Sequence, residues 1–220
     1  MDKWLWLAAA VSLALSLTPW GEVALYPFKL FTTWVHECGH AAMAVLVGGS
    51  VASIAVRPDT SGLTRSLVPA TLVSQGLVAS AGYLGASVVG CLLLRAARVQ
   101  KWARPILLTV GALMVVTVVL WVRNLFGIVV VAIWAGFLII VSRRATGKAL
   151  RFVLSLLAIQ VALNAVFDIR VLFLISGQAS DAETMARLFA LPSWFWASMW
   201  MSVSVVLFLW TIGVARFRRS

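Results

Sequence analysis

The stretch FTTWVHECGHAAMAVLV, residues 31–47, has the apolar character of a membrane helix but carries three ionisable side chains at its centre. These side chains are His36, Glu37 and His40. An ionisable side chain at the middle of a bilayer costs roughly 2.5–3.5 kcal/mol on insertion scales, so such residues usually have a functional task. The pattern indicates a chemical site that is built into an apolar helix.

The spacing of these side chains is typical of a zinc site. His36 and His40 are four residues apart, so on a helix both imidazoles lie on one face and can reach one ion. Glu37 follows the first histidine and is placed to take a proton from zinc-bound water. The chain has only two histidines and seven acidic residues. We predict His36 and His40 as metal ligands and Glu37 as the catalytic base; the alternative is a pair of buried structural histidines beside an unrelated glutamate.

The composition around this stretch places the chain in a lipid bilayer. Of its 220 residues, 62% are hydrophobic and 11% are charged, and the mean hydropathy is +1.01, which excludes an ordinary water-soluble domain. Apolar segments recur along the chain, and their lengths are close to the ~20 residues that a membrane-spanning helix needs. We predict an all-α polytopic membrane protein with about six to seven transmembrane helices, drawn from seven segments: Trp4 to Thr18, Tyr26 to Val47, Ala70 to Leu94, Pro105 to Val122, Phe126 to Val141, Phe152 to Ile175 and Trp194 to Val214.

The net charge of +11 comes from basic residues at the ends of apolar segments. No amphipathic basic face or recognition fold accompanies them, so we expect no nucleic-acid partner. Basic residues concentrate on the cytoplasmic side of membrane proteins, which predicts a cytoplasmic C-terminus. The clusters are Arg95 to Arg104, Arg143 to Arg151 and Arg216 to Arg219.

One segment, residues 50–68, breaks the helical pattern directly after the HExxH helix. Ala52, Ile54 and Val56 alternate with other residue types, as in a strand, and the run from Pro58 to Gly62 has the composition of a turn. We predict a short β-hairpin here. The hairpin is too small to be a domain of its own, so residues 1–220 are expected to form a single domain.

A third metal ligand must come from a distant part of the chain, because a catalytic zinc site usually has three protein ligands. Asp168 is the only remaining carboxylate deep in an apolar segment, and we predict it as that ligand on the same burial argument. Asn164 lies one helical turn earlier and is a candidate for substrate binding. The alternatives for Asp168 are an ion pair with Arg170 or the capping of a helix end.

With a membrane-embedded HExxH and a distant aspartate, the chain resembles the site-2 protease family of intramembrane zinc metalloproteases, in particular its small bacterial branch. The resemblance implies His36 and His40 as ligands, Glu37 as base, Asp168 as third ligand and a bacterial cell membrane as location. Phe167 and Ile169 flank Asp168 where better-studied members have Leu and Gly. The matching stretches are Phe31 to Gly49, Gly62 to Thr64, Ala81 to Gly85, Asn164 to Leu172 and Asp181 to Trp196.

The function that follows is zinc-dependent hydrolysis of peptide bonds in or near transmembrane segments of other membrane proteins. Two alternatives remain at this point: a channel or metal transporter that uses the same His/Glu/Asp cluster, and an inactive relative that acts as a scaffold. The family resemblance also suggests that the hairpin holds an unwound substrate by β-augmentation. A structural plug over the site is the other interpretation of the hairpin.

Overall fold

A computed structural model describes residues 3–16, 18, 20–172 and 180–217 of the chain. Within these residues the chain forms eight helices and one antiparallel two-stranded sheet. In chain order they are α1 (Lys3–Ser16), α2 (Gly21–Leu46), β1 (Ser50–Val56), β2 (Gly62–Leu67), α3 (Leu72–Ala97), α4 (Gln100–Leu120), α5 (Leu125–Arg144), α6 (Gly147–Leu172), α7 (Asp181–Phe189) and α8 (Ser193–Phe217).

The predicted fold class is confirmed, with differences in the helix count. Five helices, α3, α4, α5, α6 and α8, are long and apolar enough to cross a membrane. The 26-residue α2 contains His36, Glu37 and His40 and is not among the five. The 14 residues of α1 cover only about 21 Å, less than the ~30 Å hydrocarbon layer. The short helix α7 is not part of any of the seven predicted segments. The end of the predicted basic cluster, Arg218 and Arg219, lies outside the described residues.

Contacts between α2, α3 and α6 fix the relative directions of these three helices. His36 lies against Tyr83 and His40 against Val78, so α2 and α3 are antiparallel. Gly90 of α3 packs on Ala162, while residues near the start of α3 share a buried cluster with the end of α6. Because both helices run opposite to α3, α2 and α6 are parallel to each other.

The hairpin is confirmed, and it folds back along α2. Its turn is tied to the helix by two hydrogen bonds: Tyr26 donates to the carbonyl oxygen of Pro58 at 2.6 Å, and Thr33 donates to that of Thr60 at 2.7 Å. Thr60 has a positive φ of 67°, which β-branched residues rarely adopt. The bond from Thr33 holds the turn in this conformation, so the hairpin has a fixed position beside α2.

The two edges of the hairpin differ. The outer edge of β1 is paired with the connection between α4 and α5. The N–H of Ile54 donates a hydrogen bond to the carbonyl oxygen of Trp121 at 2.8 Å, and the N–H of Arg123 donates one to the carbonyl oxygen of Ile54 at 3.1 Å. The Asn124 side chain continues this pairing: its amide oxygen accepts a hydrogen bond from the N–H of Val56, and its amide nitrogen donates one to the carbonyl oxygen of Val56. Among the described residues, β2 pairs with β1 alone. Within the described residues, no strand pairs with its second edge.

The close approach of α2 and α3 depends on Gly39. A Cβ atom at this position would overlap the carbonyl oxygen of Ala81 and lie 3.1 Å from the Ala81 carbonyl carbon. These are backbone atoms of a helix, so they cannot move aside as a side chain could. The absence of a side chain at Gly39 thus sets the distance between the two helices.

We expect Gly39→Ala to destabilise the protein by about 1–3 kcal/mol, the usual cost of forcing an extra methyl group into a packed interior. The midpoint of thermal unfolding in detergent should fall. Gly136→Ala on α5 is the matched control, because a Cβ atom there meets nothing within 4 Å. Equal unfolding midpoints for the two variants would contradict this account of the α2–α3 contact.

Candidate metal centre and active site

The two histidines of α2 meet as the sequence predicts. Their Nε2 atoms lie 2.9 Å apart, and their rings are nearly perpendicular, with centroids separated by 4.7 Å. The Nδ1 atom of His40 donates a hydrogen bond to the carbonyl oxygen of Val78 at 2.7 Å. A metal-binding histidine usually donates its second ring N–H in this way, which fixes the tautomer and the ring orientation. His40 is thereby held with its Nε2 atom toward His36.

A carboxylate completes this group, and it belongs to Asp181. Its Oδ2 atom lies 3.2 Å from the Nε2 atoms of both His36 and His40. Burial raises the pKa of Asp181, but the hydrogen bonds with the two imidazoles lower it more strongly, so the net pKa lies below the usual value. The carboxyl group is therefore an ionised oxygen ligand at neutral pH.

The three atoms have the separations expected for ligands of one cation. Because Nδ1 of His40 carries the proton shared with Val78, Nε2 of a neutral His40 has a free lone pair. Two imidazole nitrogens and a carboxylate oxygen within 3.2 Å of one another need a cation or a proton between them. In a tetrahedral zinc site with bonds of ~2.0–2.1 Å, ligand atoms are about 3.3 Å apart. The group formed by His36, His40 and Asp181 fits zinc by ligand type and by spacing.

Gly82 of α3 leaves the space in front of the two histidines open. A Cβ atom at this position would overlap the Nε2 atoms of both His36 and His40. Any larger residue would thus fill the region that an ion bound by these nitrogens has to occupy. The contact that brings α3 close to α2 at Gly39 also brings this glycine against the histidine pair.

Glu37 is buried between α2 and the hairpin, with 4% of its surface exposed. Its Oε2 atom accepts a hydrogen bond of 2.6 Å from the Thr64 hydroxyl, and its Oε1 atom lies where a side chain at position 62 would be. Strand β2 therefore passes directly over the carboxylate at Gly62 and Thr64. The hairpin orients the side chain predicted to act as the base.

A comparison with known families agrees with this geometry. The family model described as Peptidase M50B-like matches residues 6–211, which is nearly the whole chain. The chain belongs to the Peptidase M50B-like family. No curated protein and no solved structure matches it. The predicted resemblance to site-2 proteases is confirmed at the level of the family, and the M50B-like chain is an integral membrane protein; the small bacterial branch stays a prediction.

Asp168 lies close to this M50B-like site without being part of the three-residue group. Asn164 donates a hydrogen bond of 3.2 Å to Thr32, one turn before His36 on α2. Since α2 and α6 are parallel, Asp168 lies one turn further, at the level of His36, and the two side chains interact electrostatically. Among the described residues the metal-ligand group contains Asp181 and not Asp168. The ligand role of Asp168 and the substrate role of Asn164 stay predictions.

The sequence analysis did not predict Asp181 as a metal ligand. Its position depends on α7, which packs along α3 with Met185 near Ser80 and Phe189 against Gly76. A local signal was present: Ser180 caps the helix by accepting a hydrogen bond from the N–H of Glu183 at 3.2 Å. That signal predicts a helix start, but it does not tell which surface the helix packs on.

The steric role of Gly82 leads to a prediction about metal binding. We expect Gly82→Ala to remove metal from the purified protein, because its Cβ atom overlaps both ligand nitrogens. Gly85→Ala, one turn later on α3, is the control, since its Cβ atom would meet the Gly39 Cα atom at an ordinary 3.5 Å. Zinc per chain, measured by atomic emission, should fall near zero only in Gly82→Ala. Full zinc content in that variant would rule out the ion position in front of the histidine pair.

Proposed function

We propose that this protein is an intramembrane zinc metalloendopeptidase that hydrolyses peptide bonds in or near transmembrane segments of other membrane proteins. The observation that carries the proposal is the convergence of three ligand atoms, from His36, His40 and Asp181, within 3.2 Å of one another beside a buried glutamate. The family membership supports the same chemistry. The ion itself, its identity as zinc and the reaction belong to the proposal.

In this proposal His36, His40 and Asp181 would hold the zinc ion, and the bound ion would supply Lewis-acid chemistry toward water and the substrate carbonyl. Glu37 takes the proton from the attacking water and passes it to the leaving nitrogen of the cleaved peptide bond. The hydrogen bond from Thr64 keeps one oxygen of Glu37 occupied, so the other is the proton acceptor. Burial of this side chain keeps bulk water away from the proton transfer.

We further propose that the substrate enters as an extended chain along the free edge of β2. A transmembrane helix offers no accessible peptide bond, because its backbone groups are hydrogen-bonded within the helix. Pairing with a strand satisfies those groups after the helix unwinds. Strand β2 passes over Glu37 at Gly62 and Thr64, so a chain paired with this edge runs past the base.

The depth of the site favours cleavage toward one end of a transmembrane segment. His40 lies six residues before the end of α2 at Leu46, which corresponds to about 9 Å along the helix axis. Strands β1 and β2 fold back from that end toward the middle of α2. A substrate needs to unwind only its first turns at this end to reach the ion and Glu37.

The role of Glu37 is tested by Glu37→Gln, which keeps the size of the side chain and removes the base. The zinc content should equal that of the parent protein. The rate of cleavage of quenched fluorescent transmembrane peptides should fall about 10²–10⁴-fold. Thr64→Ser, which keeps the hydroxyl, serves as the control and should retain activity. A Glu37→Gln variant with parental cleavage would overturn the proposed reaction; zinc flux into vesicles that depends on His36 and His40 would indicate a transporter instead.

The ligand set is tested by exchanging each candidate carboxylate for its amide. Asp181→Asn should lose zinc, because a neutral amide replaces the ionised oxygen that lies 3.2 Å from both imidazoles. Asp168→Asn should retain most of its zinc, and Asp59→Asn, in the hairpin turn, is the control. Zinc affinity can be measured by competition with a chelator in detergent. If Asp168→Asn loses zinc and Asp181→Asn retains it, the ligand predicted from the sequence is the correct one.

A further inference from the structure

Tyr83 is an aromatic residue that contacts the proposed metal site. It follows Gly82 on α3, and its ring meets the His36 ring at a centroid distance of 4.6 Å and an angle of 83°. On another side it stacks on Trp200 of α8, with centroids 5.2 Å apart and an angle of 19°. Trp200 is fully buried. The two ring contacts hold the Tyr83 side chain in one orientation.

The hydroxyl of Tyr83 has a different environment from its ring. It lies within electrostatic range of Asp181, Asp168 and Glu37, the three carboxylates in and around the site. Among the described residues it has no hydrogen-bond partner, and the side chain is partly exposed. Buried or half-buried tyrosine hydroxyls usually find a partner. A fixed phenol with a free O–H beside an active site is available to a substrate.

Resting on the function proposed above, we propose that Tyr83 is a further catalytic residue, whose hydroxyl donates a hydrogen bond to the carbonyl oxygen of the peptide bond being cleaved. As water attacks the carbonyl carbon, negative charge develops on this oxygen. A donor already fixed in place stabilises that charge without having to reorganise. The phenol keeps its proton at neutral pH, since its ordinary pKa is about 10. Tyr83 thus acts as a donor, whereas Glu37 acts as the proton acceptor.

The position of Tyr83 on α3 gives this role a structural basis. Gly82 opens the space in front of His36 and His40, and the ring of the next residue, Tyr83, contacts the His36 ring. One short segment of α3 therefore both makes room for the ion and supplies a group that recognises the reacting carbonyl. When it is ionised, a carboxyl group can only accept hydrogen bonds, whereas a phenol donates one.

Tyr83→Phe tests the proposal, because it removes the hydroxyl and leaves both ring contacts. We expect unchanged zinc content, an unchanged unfolding midpoint, and a kcat about 10²-fold lower with little change in KM, for whichever quenched transmembrane peptide the parent protein cleaves. Ser198→Ala, which removes an exposed hydroxyl that bonds only within α8, is the control and should keep kcat within a few-fold. A parental kcat in Tyr83→Phe would overturn the inference, and so would a rise in KM alone.

A second measurement does not depend on cleavage. Acetohydroxamate, a small zinc-binding carbonyl compound, can be titrated against the cobalt-substituted protein and followed by visible absorption. Loss of one hydrogen bond to its carbonyl oxygen should weaken its binding about tenfold in Tyr83→Phe. Equal affinity, or loss of metal from Tyr83→Phe, would show that the ring only packs against His36. A parent protein that binds no metal would instead refute the proposed function.

Discussion

The structure depends most on the close antiparallel contact between α2 and α3. At Gly39 the two helices approach until only the absence of a side chain avoids overlap with the Ala81 carbonyl. The same approach brings Gly82 in front of His36 and His40, and it brings Val78 within hydrogen-bond distance of His40. Wider separation of the helices would lose the orientation of His40 and the shape of the metal-binding space together.

Two other elements use this helix pair as a support. The hairpin lies along α2, is tied to it at the turn through Tyr26 and Thr33, and covers Glu37 at Gly62 and Thr64. Helix α7 lies along α3 and brings Asp181 to the histidines. The histidines with Glu37, the carboxylate of Asp181 and the hairpin thus come from three separate parts of the chain. Each is fixed by local contacts to the same two helices, which explains how a chain of 220 residues builds a site within a bilayer.

The buried polar groups of the site are satisfied almost entirely within the protein. The carboxylate of Glu37 bonds to Thr64, the imidazole of His40 bonds to Val78, and Asp181 contacts both histidines. An unpaired polar group is costly where water is scarce. Among the described residues, the hydroxyl of Tyr83 and the indole nitrogen of Trp200, whose rings stack on each other, have no hydrogen-bond partner.

The sequence by itself determined the class of fold, the hairpin and the HExxH residues, because these follow from local patterns. Each of these patterns lies within one helix or hairpin. They are the apolar segments of membrane length, the alternation in residues 50–68 and the four-residue spacing of the histidines. It favoured Asp168 over Asp181, since burial in an apolar segment was the only criterion and α7 carries no such signal. Only the packing of α7 on α3 placed Asp181 beside the histidines, and only the α2–α3 contact placed Gly82 and Tyr83 against them. Steric fit between helices decides which distant residues come into contact, and no single stretch of the sequence contains this information.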